Sequence, residues 1–255
     1  MIKFDTHIHT LPFSPDSKQV LSDVLEKQKN FPYGMILTEH MDYDCPSNLL
    51  FEFDINEYFN TYGPLRSEKL LLGVEMGLQE ICLDKIARDI ESHPFDMVIG
   101  SIHTIGTDIA FSHYYQGKTK EEAFRIYLET MLSLVKKFPH FDTLAHMDYI
   151  SRYCPYEDPE LYVDEYKELL EEIFDTLISN DISLEINSRR LHRPECFQSA
   201  MNLFKLYASR GGKYVTVGSD AHYPDALGVN FDKAREIIDA CGLTPVYYKN
   251  RKRME

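Results

Sequence analysis

Short apolar runs alternate along this chain with stretches of helical period. Ile2–Phe4, Met35–Leu37, Leu70–Val74, Met97–Ile99, Thr143–Ala145, Ile182–Ile186 and Tyr214–Val217 are brief and rich in aliphatic side chains, which predicts seven buried strands. Between them, Phe124, Tyr127, Leu128, Met131, Leu132 and Val135 recur at three- and four-residue steps. Tyr166, Leu169, Leu170, Ile173, Phe174, Leu177 and Ile178 do the same, so each set predicts an amphipathic helix. Successive strands are separated by about 25 to 45 residues, enough for a crossover helix and a loop, and the sheet should therefore be mostly parallel with helices outside it. Seven such units favour an α/β fold of the distorted (β/α)7 TIM-like kind over an open doubly wound sheet. With no repeat, low-complexity tract or linker, residues 1–255 read as one domain. Tyr43–Phe53 and Gly106–Lys120 read as long loops, and the basic run Lys249–Arg253 as a solvated tail.

Composition narrows the partners. The chain has 44% hydrophobic residues, and 41 acidic against 27 basic side chains give a formal charge of −14. That balance argues against a broad basic surface for nucleic acid or anionic membrane. No run of about 18 uncharged apolar residues occurs, so a membrane span is not expected. Five cysteines, odd in number, far apart and without a CxxC pair, suggest neither a disulfide framework nor a thiolate metal site, and fit a reducing cytoplasm.

Ionisable residues gather where the strands should end. Asp5, His7 and His9 follow the first strand, Glu39 and His40 the second, Glu75 the third, His103 the fourth and His146 the fifth. Glu185 and Asn187 mark the end of the sixth, and Asp220 and His222 follow the seventh. In a parallel barrel all these ends share one face, so side chains scattered over the sequence would converge there. His7 and His9 are two residues apart and point the same way on an extended strand; Asp220 and His222 repeat the spacing. Imidazole and carboxylate donors without thiolate suit Zn²⁺, Mn²⁺ or Fe²⁺. His7, His9, His40, Glu75, His103, His146, Asp220 and His222 exceed what one catalytic ion uses, which implies two or three ions, with Glu75 able to bridge two of them.

These segments resemble, in order, the motifs of the polymerase and histidinol phosphatase (PHP) superfamily of metal-dependent phosphoesterases. The resemblance is carried by Asp5-Thr6-His7-Ile8-His9-Thr10, Leu37-Thr38-Glu39-His40, Gly73-Val74-Glu75, Gly100-Ser101-Ile102-His103, Leu144-Ala145-His146-Met147-Asp148, Glu185-Ile186-Asn187 and Gly218-Ser219-Asp220-Ala221-His222. Thr-Glu-His, Ser-Ile-His and Glu-Ile-Asn are similar to the stand-alone histidinol-phosphatase branch in particular. The resemblance implies a distorted seven-stranded barrel with three metals. His7, His9, Glu75 and Asp220 would hold one ion, Glu75, His103 and His146 a second, and His40 with His222 a third. Asp16 falls near the place of a further histidine ligand in the family, with a helix N-cap as its alternative role.

On that footing the expected reaction is phosphate monoester hydrolysis in histidine biosynthesis, L-histidinol phosphate giving L-histidinol and phosphate by a metal-bridging hydroxide. Asp220 and His222 are the candidates for proton transfer to the leaving alkoxide. Arg152 and Arg189, on loops of the active face, are candidates for the phosphate, whereas Arg190 and Arg193 read as ordinary solvated arginines. Asp42, Asp44, Asp148, Tyr43 and Tyr114 are possible lining residues for the rest of the substrate. The partner is then a small phosphorylated molecule, not nucleic acid or membrane. The rival readings are a related phosphoesterase acting on another small phosphate, phosphotyrosine or nucleotide, a metal-stabilised scaffold without turnover, and an amidohydrolase-like enzyme.

Overall fold

The computed structural model describes residues 1–45, 51–110 and 112–255, so part of the expected Tyr43–Phe53 loop lies outside the described residues. Eight parallel strands form one curled sheet in chain order: β1 (Phe4–Ile8), β2 (Gly34–Met41), β3 (Leu70–Gly77), β4 (Met97–Ser101), β5 (Thr143–Leu144), β6 (Ser183–Asn187), β7 (Tyr214–Gly218) and β8 (Thr244–Pro245). The helices outside it are α1 (Leu21–Gln28), α2 (Ile55–Tyr62), α3 (Leu83–Ser92), α4 (Lys120–Lys137), α5 (Val163–Ser179), α6 (Pro194–Ser209) and α7 (Phe231–Cys241). The two helices read from periodicity are α4 and α5; α4 starts in a Thr119/Glu122 capping box, the Thr119 hydroxyl accepting from the Glu122 N–H at 3.2 Å.

The sheet curls until β1 meets the segment after β7. His9 N–H donates to the Ala221 carbonyl at 3.0 Å, and Ala221 N–H to the His7 carbonyl at 3.3 Å. Beneath that junction β8, too short to show in an apolar pattern, pairs with β7 at Thr244 and Pro245. The buried Asp5 carboxylate adds a side-chain clasp, accepting from Ser219 N–H (2.9 Å), the Ser219 hydroxyl (2.6 Å) and Gly228 N–H (2.9 Å). Burial pushes this carboxyl up to about 6 despite those donors.

Two corrections to the strand reading bear on function. First, β1 includes His7, and β2 and β3 contain Glu39, His40 and Glu75, so these residues stand on the strands themselves, whereas His9, His103, His146, Asp220 and His222 follow their strands as foreseen. Second, β1 carries a bulge: Asp5 pairs with Met35 but Ile8 with Leu37, three steps against two. Phe4 packs with Ile36, Leu71, Met97 and Ile99 inside the barrel, whereas Ile8 joins the layer between sheet and helices. Strict alternation from an inward Phe4 would turn His7 outward; the extra residue re-aims His7 and His9 into the barrel.

Lys249–Arg253 is not a solvated tail. Tyr247–Lys249 and Lys252–Met254 form an antiparallel hairpin that closes the end of the barrel remote from the histidines. Val246 and Tyr248 enter the inner core beside Phe4, and Tyr247 stacks on the Phe4 ring with centroids 4.2 Å apart. Three of the hairpin's four basic side chains are spent on acids: Arg251 on Asp142 (2.6 Å), Arg253 on Asp181 (2.6 Å) and Lys249 on Glu68 (2.7 Å), while Lys252 is exposed. The Tyr248 hydroxyl lies 2.8 Å from that of Ser183. Tyr248→Ala should therefore lower the unfolding free energy by about 3 kcal/mol, a large-to-small core change, with the loss read from the urea midpoint.

Candidate active site

Strand ends β1 to β4, with the segments after β4, β5 and β7, bring the predicted residues to one place. Glu75, fully buried on β3, is its centre. Its Oε1 lies 2.9 Å from His146 Nε2 and 3.3 Å from His103 Nε2. Its Oε2 lies 2.8 Å from His40 Nδ1, 3.3 Å from His7 Nε2 and 3.5 Å from His9 Nε2. Asp220 Oδ1 is 3.6 Å from His9 Nε2, and Asp16 Oδ2 is 3.0 Å from His222 Nε2 and 3.6 Å from His40 Nε2. Asp16 is thus turned to the site; the residue before α1 is Val20, and the N-cap alternative fails.

Four sets of donors lie with ligand atoms within 4.8 Å of one another: His9, His40 and His222; His7, His9 and Asp220; His7, Glu75 and His146; and His40, Asp42 and His103. His7 Nε2, His9 Nε2, His40 Nδ1, His103 Nε2 and Glu75 Oε2 are buried without hydrogen-bond partners among the described residues. Each such orphan costs about 1–3 kcal/mol, and five of them turned to one point fit divalent cations. Burial opposes ionisation of Glu75, yet the charges of His7, His103 and His40 hold it well below the usual carboxylate range. Burial together with the neighbouring His40, His222 and His7 keeps His9 well below the usual imidazole range, and burial with Arg152 lowers His146. Both rings stay neutral, the state a cation requires.

The sequence names Glu185 as a strand end and Asp42 as a lining candidate, but does not show that they aim the ligand rings. Glu185 Oε1 is 2.6 Å from His7 Nδ1, while its Oε2 accepts from His146 N–H at 2.9 Å. Asp42 Oδ1 is 2.8 Å from His103 Nδ1. A signal existed in the sequence, since each carboxylate follows its strand's inward parity, but parity alone does not say which ring it will meet. Two glycines make room. A Cβ on Gly77 would lie 1.9 Å from Asp42 Oδ1, and one on Gly218 would lie 2.4 Å from both His7 Cβ and Glu185 Oε1.

Asp220 adopts a left-handed φ of 53°, which an aspartate tolerates better than most residues and which turns its carboxylate into the site. Arg152, buried, reaches its Oδ2 at 2.5 Å, and the half-exposed Arg189 its Oδ1 at 3.4 Å. Against the burial penalty, Arg152, His7 and Arg189 hold the Asp220 carboxyl well below the usual range. Arg152 Nε and its second terminal nitrogen have no partner. Arg190 is not the solvated residue expected: it is buried and bonds Asp148 (2.8 Å) and Glu160 (2.6 Å), which takes Asp148 out of the substrate lining foreseen for it. Tyr43 and Tyr114 are packing residues, the first bonded to Asp89 and the second to the Ala123 carbonyl at 2.6 Å. A cavity of about 200 Å³ opens beside the histidines, lined by Asp16, Asp42, Asp108, Phe51, Tyr149 and Tyr153 among others; Tyr149 and Tyr153 take the place foreseen for Tyr43 and Tyr114.

Residues 5–189 match the PHP domain. The chain belongs to the PHP domain family. This PHP chain is 40% identical to a protein of Clostridium acetobutylicum named "Probable histidinol-phosphatase", over 97% of each chain. It is 34% identical to the "Histidinol-phosphatase" of Lactococcus lactis, covering 95% of this chain and 92% of the relative. The crystal structure of histidinol phosphate phosphatase from L. lactis, complexed with zinc, L-histidinol and phosphate, superposes with a TM-score of 0.92 at 33% identity over 99% of both chains. Both the order of the motifs and the distorted TIM-like barrel foreseen for a PHP protein are thereby borne out. Because Gly218 leaves no room for a methyl group, Gly218→Ala should spread His7 from Glu185 and weaken Zn²⁺ binding by about 10–100-fold, measured by competition with a chromogenic chelator.

Proposed function

We propose that this chain hydrolyses L-histidinol phosphate to L-histidinol and phosphate, as a histidine-biosynthetic phosphatase using two or three divalent ions. The observation that carries it is the convergence of five imidazoles on Glu75 with Arg152 and Arg189 beside them, in a fold and sequence similar over nearly their whole length to histidinol-phosphatases. His7, His9, Glu75 and Asp220 would hold one ion, Glu75, His103 and His146 a second, and His40, His222 and Asp16 a third. Zinc is favoured by the bound L. lactis structure, and manganese or iron suit the same donors. Bound there, the ions supply acidified water near neutral pH and neutralise phosphoryl charge.

The protein's own residues do the rest. Arg152 has guanidinium donors to spare after binding Asp220, and with Arg189 it orients the phosphate through paired, charge-assisted hydrogen bonds. Asp220, held as the anion by Arg152, can accept a hydrogen bond from the attacking water; His222, next to it, is the group placed to pass a proton to the leaving alkoxide. The adjoining cavity offers Asp42 and Asp108 to an ammonium and the faces of Tyr149 and Tyr153 to an imidazole ring. Five free cysteines and a charge of −14 support a cytoplasmic setting and a small substrate rather than nucleic acid. Among the described residues no helix is long and apolar enough to cross a membrane.

The test is phosphate release by protein supplied with Zn²⁺ or Mn²⁺ from L-histidinol phosphate, phosphotyrosine, p-nitrophenyl phosphate and a nucleoside monophosphate. L-Histidinol phosphate should exceed the others in kcat/KM by orders of magnitude; equal, slow turnover of all four would refute the substrate. His9→Ala and Glu75→Ala should abolish hydrolysis with the circular dichroism spectrum kept, and Arg152→Ala should lower kcat/KM by about 10–100-fold, the worth of a charge-assisted hydrogen bond.

A further inference from the structure

Glu39 lies on the face of β2 opposite His40, in the layer beneath α2, fully buried. No lysine or arginine pairs with it among the described residues; its partners are hydroxyls and one amide. Thr10 N–H donates at 2.8 Å, the Thr10 hydroxyl at 2.5 Å and the Ser14 hydroxyl at 2.6 Å. An unpaired buried carboxylate is costly to keep, and burial pushes this one up to about 7. What it holds is the loop after β1 and, through Ser14, a ligand ring.

Ser14 Oγ sits at a crossing. His40 N–H reaches it at 3.1 Å and His9 Nδ1 at 3.3 Å. A hydroxyl has one proton to give and two lone pairs to receive. Glu39 Oε2, which already accepts Thr10 N–H, is an acceptor and so takes the Ser14 proton; His40 N–H only donates, so it takes one lone pair. The last lone pair then requires a proton on His9 Nδ1. His9 Nε2 is thereby left with its lone pair free, turned to Glu75 and Asp220.

We infer that Glu39 and Ser14 form a positioning relay that fixes His9 in the Nδ1–H tautomer and presents Nε2 to a metal ion. The inference rests on the reading of His9 as a ligand. It explains why this ring needs two residues where His7 and His103 need one. Glu185 and Asp42 contact those rings directly, and a carboxylate can only accept. A serine beside His9 could give or receive, and the hydrogen bond it gives to Glu39 Oε2 removes the choice.

The experiment is ¹⁵N NMR of the metal-free protein with ring-labelled histidine, His9 being assigned with His9→Gln, alongside Zn²⁺ affinity by chelator competition. Wild-type His9 should carry its proton on Nδ1. In Glu39→Ala the Ser14 hydroxyl loses the acceptor of its proton and can donate to His9 Nδ1, so the tautomer should move toward Nε2–H. Zn²⁺ binding should weaken by about 10–100-fold in this variant and in Ser14→Ala. Tyr62→Phe removes a different hydrogen bond to the same loop, at Thr10 and Leu11, and should leave the tautomer unchanged. Wild-type His9 protonated on Nε2, or Glu39→Ala with wild-type tautomer and affinity, would overturn the relay. The wild-type spectrum decides alone if a variant does not fold. His9 signals that ignore Zn²⁺ in the wild type would overturn the ligand reading and the relay with it, an outcome distinct from a responsive ring in the wrong tautomer.

Discussion

A single carboxylate, Glu75, with five imidazoles turned toward its two oxygens, is the constraint around which the upper half of the barrel is built. Rings so close, out of water, cannot all be protonated, nor can all stay neutral without leaving nitrogens unpaired. The chain meets this by ranking the rings. His7 and His103 are backed by carboxylates and His9 by a hydroxyl, which holds Nδ1 of each ring to a partner and turns Nε2 to the centre. The orphaned atoms left over make the metal-free fold less stable than its packing would suggest, so cations binding there stabilise the protein as well as equip it.

The two ends of the barrel divide the work. The inner core near the amino ends of the strands is apolar, built on Phe4, Ile36, Leu71, Met97 and Ile99 and sealed by Tyr248. Its rigidity lets the outer ends carry so many buried polar groups without collapse. The bulge in β1 joins the two regimes, since Phe4 faces the apolar core while His7 and His9, on the other parity, face the metals' side.

Much of this was legible in the residues. Parallel order, strand positions and the convergence of His7, His9, His40, Glu75, His103, His146, Asp220 and His222 follow from short apolar runs ending in ionisable side chains. Three things were not. The bulge leaves no mark in composition, because an extra residue changes parity without changing hydrophobicity. The Tyr247–Met254 hairpin looked solvated because Arg251 and Arg253 dominate its sequence, while the acids that neutralise them, Asp142 and Asp181, lie far away in the chain. Arg190 was misread for the same reason, its partners Asp148 and Glu160 being visible only in space. Long-range pairing of charge is a tertiary property, and a single sequence does not encode it in any local pattern.

Closure of the barrel and completion of the site are one event. The seam lies between the first strand and the segment after β7, and it is there that His7 and His9 meet Asp220 and His222. Ala221, between the latter two, exchanges backbone hydrogen bonds with His7 and His9, while Gln19 donates its amide to the carbonyls of His9 (2.8 Å) and Ala221 (2.9 Å). Asp5 clasps Ser219 from below. A seam has fewer ladder bonds than the strands within the sheet, and it joins residues more than 200 positions apart, so closing it carries a large entropic cost. Ligands drawn from both sides turn metal binding into a cross-link over that weak line. One ion held by His7, His9 and Asp220, as proposed, would then be a structural device as much as a catalytic one: the cation that would serve the reaction would also hold shut the barrel that positions it.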